Sequence, residues 1–422
     1  MRNFKSVPLG KLSFSRYRQF NSGRYERILK LAQKLRNTKI FHINSAASGG
    51  GVAEILKIQV PLERNLGLDS KWLVMKAPEK YFEITKKIHN FLQGQPGALI
   101  EAEKRFYLSH AHTLGNELGS VFERAGGRII AVIHDPQPLP MVDFLPSNTQ
   151  IISRLHIDLS QPNKLVFDLL KPYIKKAHKV IISNKIFRPR WLSKKRTVIS
   201  QPSISPFTPK NRYMEEKKAK TLLARVGVDT KRPLVTQISR LDYWKDPFGV
   251  IEAFYLAKKQ FPSLQLLLEG VIVAKDDPEA KEIYRKLQKQ CKHDKDIILL
   301  GTTKSLKGIP LDIFVNAAQR GSDIIIQKSI KEGFGMTVTE GMWKGKPVIG
   351  GAVGGIKLQI KDGQNGLLVN SPEECGEAIV KLLKSPRLRN RLGKNAHRSV
   401  RKRYLMDRLI LDHLKIYREL NR

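Results

Sequence analysis

The chain has 422 residues, of which 76 are lysine or arginine and 38 are acidic, so its formal net charge is +38. This length predicts two domains, and a hydrophobic fraction of 41% excludes a disordered protein. The charge attracts nucleotide-sugars, nucleic acid or an anionic membrane surface. Because the basic residues are spread along the whole chain, a generally lysine-rich surface is an equally good explanation.

The sequence favours a reduced compartment and no membrane span. Cys291 and Cys375 are the only cysteines, and neither has a partner at metal-ligand spacing. Residues 1–20 are basic but lack the apolar core of a secretory signal. No stretch approaches the roughly 20 apolar residues that a spanning helix needs. We therefore expect a cytoplasmic protein.

Short apolar runs alternate with helical patterns along the first half of the chain. Residues 1–37 are basic and irregular, and we interpret them as a leader that consists of a helix and a linker. The alternation that follows is typical of a parallel sheet with helices on both faces. A helix is expected at about residues 52–65, with Pro61 expected to kink or shorten it. Strands are predicted at 39–44, 72–75, 129–133, 150–155 and 180–182.

A proline-rich connector, residues 202–210 (PSISPFTPK), is the best domain boundary. The predicted domains are 38–205 and 206–400, followed by a C-terminal helix in 401–422 that is expected to pack back on the first domain. Further strands are predicted at 234–238, 264–268, 297–300, 324–327, 347–350 and 367–369, and helices at 214–225, 248–259, 279–290, 311–319, 373–383 and 401–420. The predicted fold class is α/β, with two doubly wound Rossmann-like domains facing an interdomain cleft.

The segment 329–340 (SIKEGFGMTVTE) carries the strongest signal of a binding site. It follows a predicted buried strand and leads into a helix, so its backbone N–H groups suit an anion such as a diphosphate. Glu332 and Glu340 bracket this turn, and carboxylates accept hydrogen bonds from hydroxyls. Amides for a diphosphate beside carboxylates for sugar hydroxyls predict a nucleotide-sugar site.

Arg240 and Lys245 follow the strand at 234–238 in the sequence SRLDYWK. Two cations in such a loop can reach both phosphates of a diphosphate. Stabilising the charge that develops on a leaving diphosphate is the main electrostatic task in sugar transfer. In so basic a chain the pair alone is a weak signal, and it becomes persuasive beside Glu332.

Polar residues also follow strands in the first half. His134 and Asp135 begin a loop that prolines hold rigid (HDPQP), and a structural role for both, with Asp135 as a cap, is the alternative. His156 and Asp158 follow the next strand and could hold an acceptor sugar. Ligands of parallel sheets bind beyond the carboxyl ends of the strands. The residues at such ends are Asn44, His134, Arg240, Lys328 and Gly350.

Residues 48–51 (SGGG) lie between a strand and a helix, where they let the backbone approach a ligand. A flexible turn is the alternative. The pattern fits neither GxGxxG nor the P-loop, which disfavours a nicotinamide enzyme or a nucleotide hydrolase. No HExxH or GxSxG motif occurs, and the pair Asp276 and Asp277 is better explained by helix capping than by a metal.

These stretches together resemble the retaining glycosyltransferases of the GT-B fold, family four. The donor half matches through Arg240, Lys245, residues 329–340 and the Gly354-Gly355 turn. The stretch HINSAASGGGVAEIL is also shared, and IHDPQP and HIDLSQPN narrow the resemblance to the trehalose-forming branch, which includes the trehalose glycosyltransferring synthases and the retaining trehalose phosphorylases.

The resemblance implies that glucose passes from a nucleoside-diphosphate-glucose, such as ADP- or UDP-glucose, to free glucose, giving α,α-trehalose. The family needs no cofactor and no metal. Retention is attributed to attack on the same face of the sugar, with the leaving phosphate taking the acceptor's proton, so no protein nucleophile is required. A retaining trehalose phosphorylase, or a family-four transferase with a glycan or glycolipid acceptor, is the alternative.

The resemblance also implies roles for single residues. Arg240 and Lys245 would clamp the diphosphate, Glu332 would bind the donor glucose and Glu340 the ribose. His134 and Asp135 would lie beside the reacting carbon. Further donor-binding residues would be Gly50, Gly51, Gly333, Phe334, Gly335, Met336 and Thr337. The candidate acceptor-binding residues are Asn44, Gln137, His156 and Asp158.

The expected partners are therefore a nucleoside-diphosphate-glucose and glucose. Specific binding of nucleic acid is disfavoured, because the chain shows neither an aromatic stacking platform nor a known nucleic-acid motif. Membrane association is not expected, since no strongly amphipathic, aromatic-studded helix stands out. A homodimer stays open.

Overall fold

The structure is a computed structural model that describes residues 2–271 and 278–421. The chain divides into two compact units. The N-terminal unit extends to Ser203 and also contains the segment that begins at Met406, and the C-terminal unit is Ile204–Leu405. Each unit is built on a mainly parallel sheet with helices, which confirms the predicted α/β class with two Rossmann-like domains.

The N-terminal unit contains a seven-stranded sheet. Its strands are β1 (Phe4–Ser6), β2 (Lys39–Asn44), β3 (Asp69–Met75), β4 (Ile129–His134), β5 (Thr149–Leu155), β6 (Lys179–Ile182) and β7 (Thr197–Ile199). Their order is β1-β3-β2-β4-β5-β6-β7, and every pairing except that of β1 with β3 is parallel. β4 is buried along its whole length, as is typical of a parallel strand covered on both faces.

Helices cover this sheet and supply the rest of the apolar core. They are α1 (Ser22–Gln33), α2 (Gly51–Asn65), α3 (Glu79–Leu92), α4 (Glu101–Ala125), α5 (Lys164–Lys176) and, from the end of the chain, α14 (Met406–Leu420). α2 continues through Pro61 to Asn65, the predicted end, so Pro61 does not shorten it, and a kink at Pro61 stays a prediction. Val60 and Leu62 are almost fully buried, and their packing offsets the hydrogen bond that proline removes.

The C-terminal unit contains a six-stranded sheet, in which the strands all run parallel. In their order across the sheet they are β10 (Ile297–Leu300), β9 (Gln265–Glu269), β8 (Leu234–Ile238), β11 (Ile324–Gln327), β12 (Val348–Gly351) and β13 (Leu367–Val369). The helices are α6 (Glu216–Arg225), α7 (Pro247–Lys258), α8 (Pro278–Cys291), α9 (Leu311–Gly321), α10 (Met336–Trp343), α11 (Ile356–Gln359), α12 (Pro372–Lys384) and α13 (Pro386–Arg403).

Helices α7, α12 and α13 start with the same local chemistry, a capping side chain followed by proline. The side chains of Asp246, Ser371 and Ser385 accept hydrogen bonds from the backbone N–H three residues further on. Proline is tolerated in the first turn because an N–H there has no partner within the helix. These caps fix where the chain leaves a loop and enters a helix, and the first of them directly follows Lys245.

Residues 1–37 are not a separate leader, which corrects the prediction. Residues Phe4–Ser6 pair with the edge of the sheet as β1, and Phe14 and Tyr17 are buried. Helix α1 packs against α14 within the same unit. A strand of three residues is too short to show a periodic hydrophobic pattern. The leader prediction therefore depended on the basic composition of this segment alone.

The boundary and the last helix also differ from the prediction. The chain enters the C-terminal unit between Ser203 and Ile204, slightly before the predicted boundary after residue 205. The single helix predicted at 401–420 is interrupted at Tyr404 and Leu405, which separate α13 from α14. Ile204 forms a parallel bridge with Leu405, and its N–H donates to Tyr404 O at 2.9 Å, so the interrupted backbone pairs with the connector.

Helix α4 packs closely against the 3-10 segment Leu139–Phe144 at Gly119, so a substitution there tests this packing. A Cβ on Gly119 would stand 2.3 Å from the carbonyl oxygen of Phe144. We expect Gly119→Ala to lower the free energy of unfolding by about 1–3 kcal/mol, because overpacking against backbone forces a shift. The control is Gly23→Ala in α1, where the nearest atom lies at 3.8 Å. Urea unfolding measures both variants, and equal stabilities would contradict the prediction.

Candidate active site

Lys245 and Glu332 form an ion pair in the C-terminal unit, with Lys245 Nζ donating to Glu332 Oε2. Lys245 ends the 3-10 turn Tyr243–Lys245 beyond β8, and Glu332 lies in the loop beyond β11. The two loops meet because β8 and β11 are neighbouring parallel strands. A bond from Ile330 N–H to Trp244 O at 2.9 Å ties the loops together. The structure thus brings two of the predicted donor-site residues into contact.

Glu332 retains an oxygen that can accept a further hydrogen bond. Its Oε2 atom is the one that Lys245 Nζ and, at 3.5 Å, Ser329 Oγ contact. Within the part of the chain that the structure describes, Oε1 has no hydrogen-bond donor. Since a carboxylate oxygen can accept from a sugar hydroxyl, this oxygen is suited to hold a hexose.

Arg240 is not a member of this ion pair. Its guanidinium contacts Asp242 at 3.0 Å, and the Arg240 side chain is 47% exposed. Lys328, a strand-end residue without an assigned role in the sequence analysis, instead donates to Asp246. Asp246 has a left-handed backbone, φ 48°, and caps α7. Lys328 therefore stabilises the turn that positions Lys245.

The glycine-rich loop ends at the start of α10. Gly335 is its N-cap residue and has φ 87°, a conformation that favours glycine. The N–H groups of Met336 and Thr337 have no hydrogen-bond partner among residues 2–271 and 278–421. Such groups at a helix start, where the helix dipole is positive, bind anions. Gly333 and Phe334 precede this start, and their amides as ligand donors stay a prediction.

Gln359 is a residue of this site that the sequence analysis missed. It is fully buried, and its Nε2 donates to the carbonyl oxygens of Phe334, at 2.5 Å, and Gly335, at 3.1 Å. Its Oε1 accepts from Thr339 Oγ1 at 2.6 Å. These bonds engage carbonyl oxygens that would otherwise repel an anion. A single glutamine in a short helical segment carries no sequence signal of this role.

Gly355 allows a second loop to pack on the first. A Cβ at this position would stand 2.2 Å from Phe334 Cα, and Gly355 N–H donates to Glu332 O at 2.9 Å. Glu340 lies deeper, 5% exposed, with Gln319 Nε2 at 3.3 Å and Lys210 Nζ at 3.9 Å. Its proposed contact with a ribose stays a prediction.

His134 is the last residue of β4 in the N-terminal unit, and Asp135 follows it. Asp135 has φ 64°, its N–H donates to Arg154 O at 2.9 Å, and its Oδ1 accepts from His156 N–H at 2.7 Å. Burial raises the pKa of Asp135 to about 7, although the His156 bond and the charge of Arg154 act in the opposite direction. Burial also lowers the pKa of Arg154 to about 9. Arg154 is not among the predicted site residues, because it lies inside β5.

Two buried tyrosines fix the HDPQP loop through its backbone. Tyr107 Oη donates to Pro136 O at 2.6 Å, and Tyr81 Oη donates to Gln137 O at 2.7 Å. Burial raises the pKa of both phenols well above their ordinary value, so both remain donors. These two hydrogen bonds fix the loop backbone, in agreement with the rigidity that its prolines predict.

Two other residues predicted to bind the acceptor sugar form hydrogen bonds within the N-terminal unit. Asn44 Oδ1 accepts from Trp72 Nε1 at 2.7 Å, and Asn44 Nδ2 donates to Ala46 O at 2.7 Å. Asp158 Oδ1 accepts from Ser160 N–H at 2.9 Å. Contacts of Asn44, Gln137 and Asp158 with an acceptor sugar stay predictions.

Gly50 and Gly51 lie at the start of α2, where Gly50 is the N-cap and Gly51 the first helical residue. A Cβ on Gly50 would meet no atom of the described chain within 4 Å. The space beside Gly50 could thus admit a ligand, and donor contact by this pair stays a prediction.

Within residues 2–271 and 278–421, no group of three or more histidine, cysteine or carboxylate side chains could hold a metal ion. Asp276 and Asp277 lie outside the described residues. Cys291 and Cys375 are both buried free thiols. Among the described helices, none has the length and apolar character needed to cross a membrane.

Both halves of the chain match known families. Residues 42–189 match the N-terminal domain of trehalose synthase, and residues 219–399 match glycosyl transferases group 1. The sucrose-phosphate synthase of Thermosynechococcus elongatus shares the fold, with a TM-score of 0.69 and 19% identity over 91% of this chain and 99% of that chain. Fold and site together define a GT-B glycosyltransferase.

Full-length relatives narrow this class. The trehalose synthase of Pyrococcus horikoshii is 38% identical over 100% of this chain and 99% of that protein. The trehalose synthase of Rubrobacter xylanophilus is 36% identical over 94% of each chain. The chain belongs to the trehalose synthase family, which confirms the resemblance seen in its motifs, and it is an enzyme of trehalose-related glycosyl transfer.

Asp135 should make the stability of the N-terminal unit depend on pH. Its pKa is about 7 in the folded unit against an ordinary 3.8, so between these values the folded state holds a proton that the unfolded state has released. Stability from this group is therefore present below about pH 4 and is lost as the pH rises through 7.

The variant Asp135→Asn stays neutral, so its unfolding free energy minus that of the parent should increase between pH 4.5 and 7.5. Urea titrations at several pH values measure this difference, and Asp168→Asn, at an exposed position of α5, is the control. A difference that does not vary with pH would show that the Asp135 carboxyl is not perturbed.

Proposed function

We propose that this enzyme transfers glucose from a nucleoside-diphosphate-glucose, with ADP- or UDP-glucose as candidate donors, to free glucose, forming α,α-trehalose with retention of configuration. The observation that carries the proposal is the Lys245–Glu332 pair in the same unit as the unpartnered N–H groups that open α10. This arrangement offers positive charge for a diphosphate and a carboxylate oxygen for a hexose. The full-length relatives, which are trehalose synthases, support trehalose as the sugar.

Lys245 and Arg240 act on the diphosphate in this proposal. The lysine offers a point charge and the arginine a planar fork, so the two can share the charge that develops as the glycosidic bond breaks. The N–H groups of Met336 and Thr337 add fixed dipoles, which need no reorganisation during the reaction. Glu332 Oε1 accepts a hydrogen bond from a hydroxyl of the donor glucose and fixes the ring.

The N-terminal unit binds the acceptor glucose in this proposal. His156 is half-buried and lies beside Asp135, whose pKa near 7 lets its carboxyl accept or donate a hydrogen bond at neutral pH. The leaving phosphate takes the proton of the attacking hydroxyl, so neither His134 nor Asp135 acts as a nucleophile. On this mechanism the reaction proceeds without a metal or a cofactor.

The assay that tests the function incubates the protein with labelled glucose and ADP-, UDP- or GDP-glucose in turn, with and without EDTA. We expect glucose-dependent release of nucleoside diphosphate and a non-reducing disaccharide whose two equivalent anomeric positions share one α chemical shift by NMR. The same activity with EDTA is expected. If glucose does not accelerate the release, the trehalose assignment fails. Formation of glucose 1-phosphate from trehalose and phosphate, without any nucleotide, would indicate a phosphorylase.

Lys245→Ala should weaken binding of ADP or UDP by about 1.5–3 kcal/mol, the usual contribution of a hydrogen bond to a charged group. Isothermal titration calorimetry measures it. Lys218→Ala is the matched control, because it removes the same charge from an exposed position of α6 in the same unit. Equal affinities in the two variants would mean that the effect is general electrostatics and that Lys245 does not contact the diphosphate.

A further inference from the structure

Three histidines connect a buried glutamate to the candidate acceptor residues of the N-terminal unit. His42 Nε2 lies 3.0 Å from Glu63 Oε2, and His42 Nδ1 lies 3.1 Å from His134 Nε2. His134 Nδ1 in turn lies 3.0 Å from His156 Nε2. Glu63 and His42 are fully buried, His134 is 2% exposed, and His156 is half-buried. We call Glu63, His42, His134 and His156 the histidine chain.

The Glu63 carboxylate is surrounded by donors. Oε1 accepts from Gln59 Nε2 at 2.8 Å and from Tyr417 Oη at 3.0 Å, and Oε2 accepts from Ser70 Oγ at 2.5 Å as well as from His42. Burial by itself would raise the pKa of Glu63, but His42, then His413 and Ser70, lower it to about 2. Glu63 is therefore ionised and can only accept hydrogen bonds.

An ionised Glu63, together with a single proton on His42, sets the direction of every bond in the histidine chain. Because Glu63 only accepts, His42 carries a proton on Nε2, and if that is its only proton its Nδ1 accepts. His134 must therefore donate from Nε2 and accept at Nδ1. By the same rule His156 donates from Nε2, which leaves its Nδ1 without a proton.

The outer two rings are kept neutral by their surroundings. Burial lowers the pKa of His134 and of His156 well below the ordinary value, and the positive charge of Arg154 acts in the same direction on both. In the described part of the chain, Nδ1 of His156 has no hydrogen-bond partner. A lone pair on a half-buried ring is thus available to a ligand.

We propose that Glu63, acting through His42 and His134, presents Nδ1 of His156 as a hydrogen-bond acceptor for a hydroxyl of the acceptor sugar. Glu63 and His42 are positioning residues, and His156 is the residue that touches the sugar. The identity of that sugar as glucose rests on the proposed function, whereas the polarity of the histidine chain does not. In this arrangement the sugar hydroxyl donates its proton to His156 Nδ1. The lone pairs of the hydroxyl oxygen then point away from His156 and can interact with other partners.

The first test reads the protons directly. Long-range 1H–15N spectra of protein labelled with 15N-histidine show which ring nitrogen carries hydrogen, and His156→Phe assigns the His156 signals. We expect the Nε2–H form for His42, His134 and His156 in the wild-type protein. If His42 carried two protons, the chain would point the other way and His156 would show Nδ1–H, which would overturn the proposal.

The second test reverses the chain with Glu63→Gln. Gln59 Nε2 contacts His413 at 3.0 Å and also donates to the Oε1 position of residue 63. In the variant the amide oxygen of the introduced glutamine therefore occupies that position, and its amide nitrogen faces His42. His42 then accepts at Nε2, and His156 should change to the Nδ1–H form. Asp407→Asn is the matched control, because it removes a buried carboxylate of the same unit that pairs with Arg24 instead. Unchanged His156 signals in a folded Glu63→Gln protein would refute the role of Glu63.

Kinetics connect the histidine chain to the sugar. A net hydrogen bond is worth up to about 1.5 kcal/mol, so we expect Glu63→Gln and His156→Phe each to raise KM for glucose by about tenfold. KM for the nucleotide-glucose should change less than about twofold, and Asp407→Asn should change neither. Loss of donor and acceptor affinity together would contradict a specific role at the acceptor.

The double variant Glu63→Gln/His156→Phe distinguishes an effect of Glu63 that acts through His156 from a general disturbance of the N-terminal unit. If Glu63 acts through His156, Glu63→Gln should add almost nothing to KM for glucose once His156→Phe is present. Additive effects would overturn the proposal. Should Glu63→Gln not fold, the wild-type spectrum and His156→Phe kinetics still decide it. The spectra need no turnover, so failure of the trehalose assay would not be mistaken for failure of the histidine chain.

Discussion

Parallel pairing between neighbouring strands is the constraint from which both groups of site residues follow. β8 pairs with β11, so Lys245 and Glu332 meet although 87 residues separate them in the sequence. In the other unit β2, β4 and β5 are consecutive in the sheet, which places His42, His134 and His156 side by side. Both contacts depend on strand order, because a different order would separate these side chains.

Residue patterns predicted what depends on local or strand-end chemistry. Alternation indicated two Rossmann-like domains, and the carboxyl ends of strands indicated Lys245, Glu332 and His134. Gln359 and Glu63 were not predicted, because their roles depend on partners that only the fold brings close. Likewise the break before α14 depends on a bridge from Leu405 to Ile204 on the connector, which no local pattern contains.

The net positive charge and the charges within the site act over different distances. Glu332 is paired with Lys245, and Asp246 with Lys328, whereas Glu63 is held largely by uncharged donors. The net charge of +38 acts at long range, and salt screens exposed charges beyond about 8 Å at physiological ionic strength. It can therefore speed the arrival of an anion, while selectivity depends on the short contacts.

The continuity of the C-terminal unit has a practical consequence. Ile204–Leu405 is a single uninterrupted stretch whose first and last residues are bridged to each other. An insertion with adjacent ends behaves as a removable cassette, since its excision leaves two host termini to be rejoined by a short splice. If the two units bind donor and acceptor as proposed, exchanging this cassette between relatives at the same two junctions would create chimaeras in which nucleotide preference and acceptor preference are inherited separately.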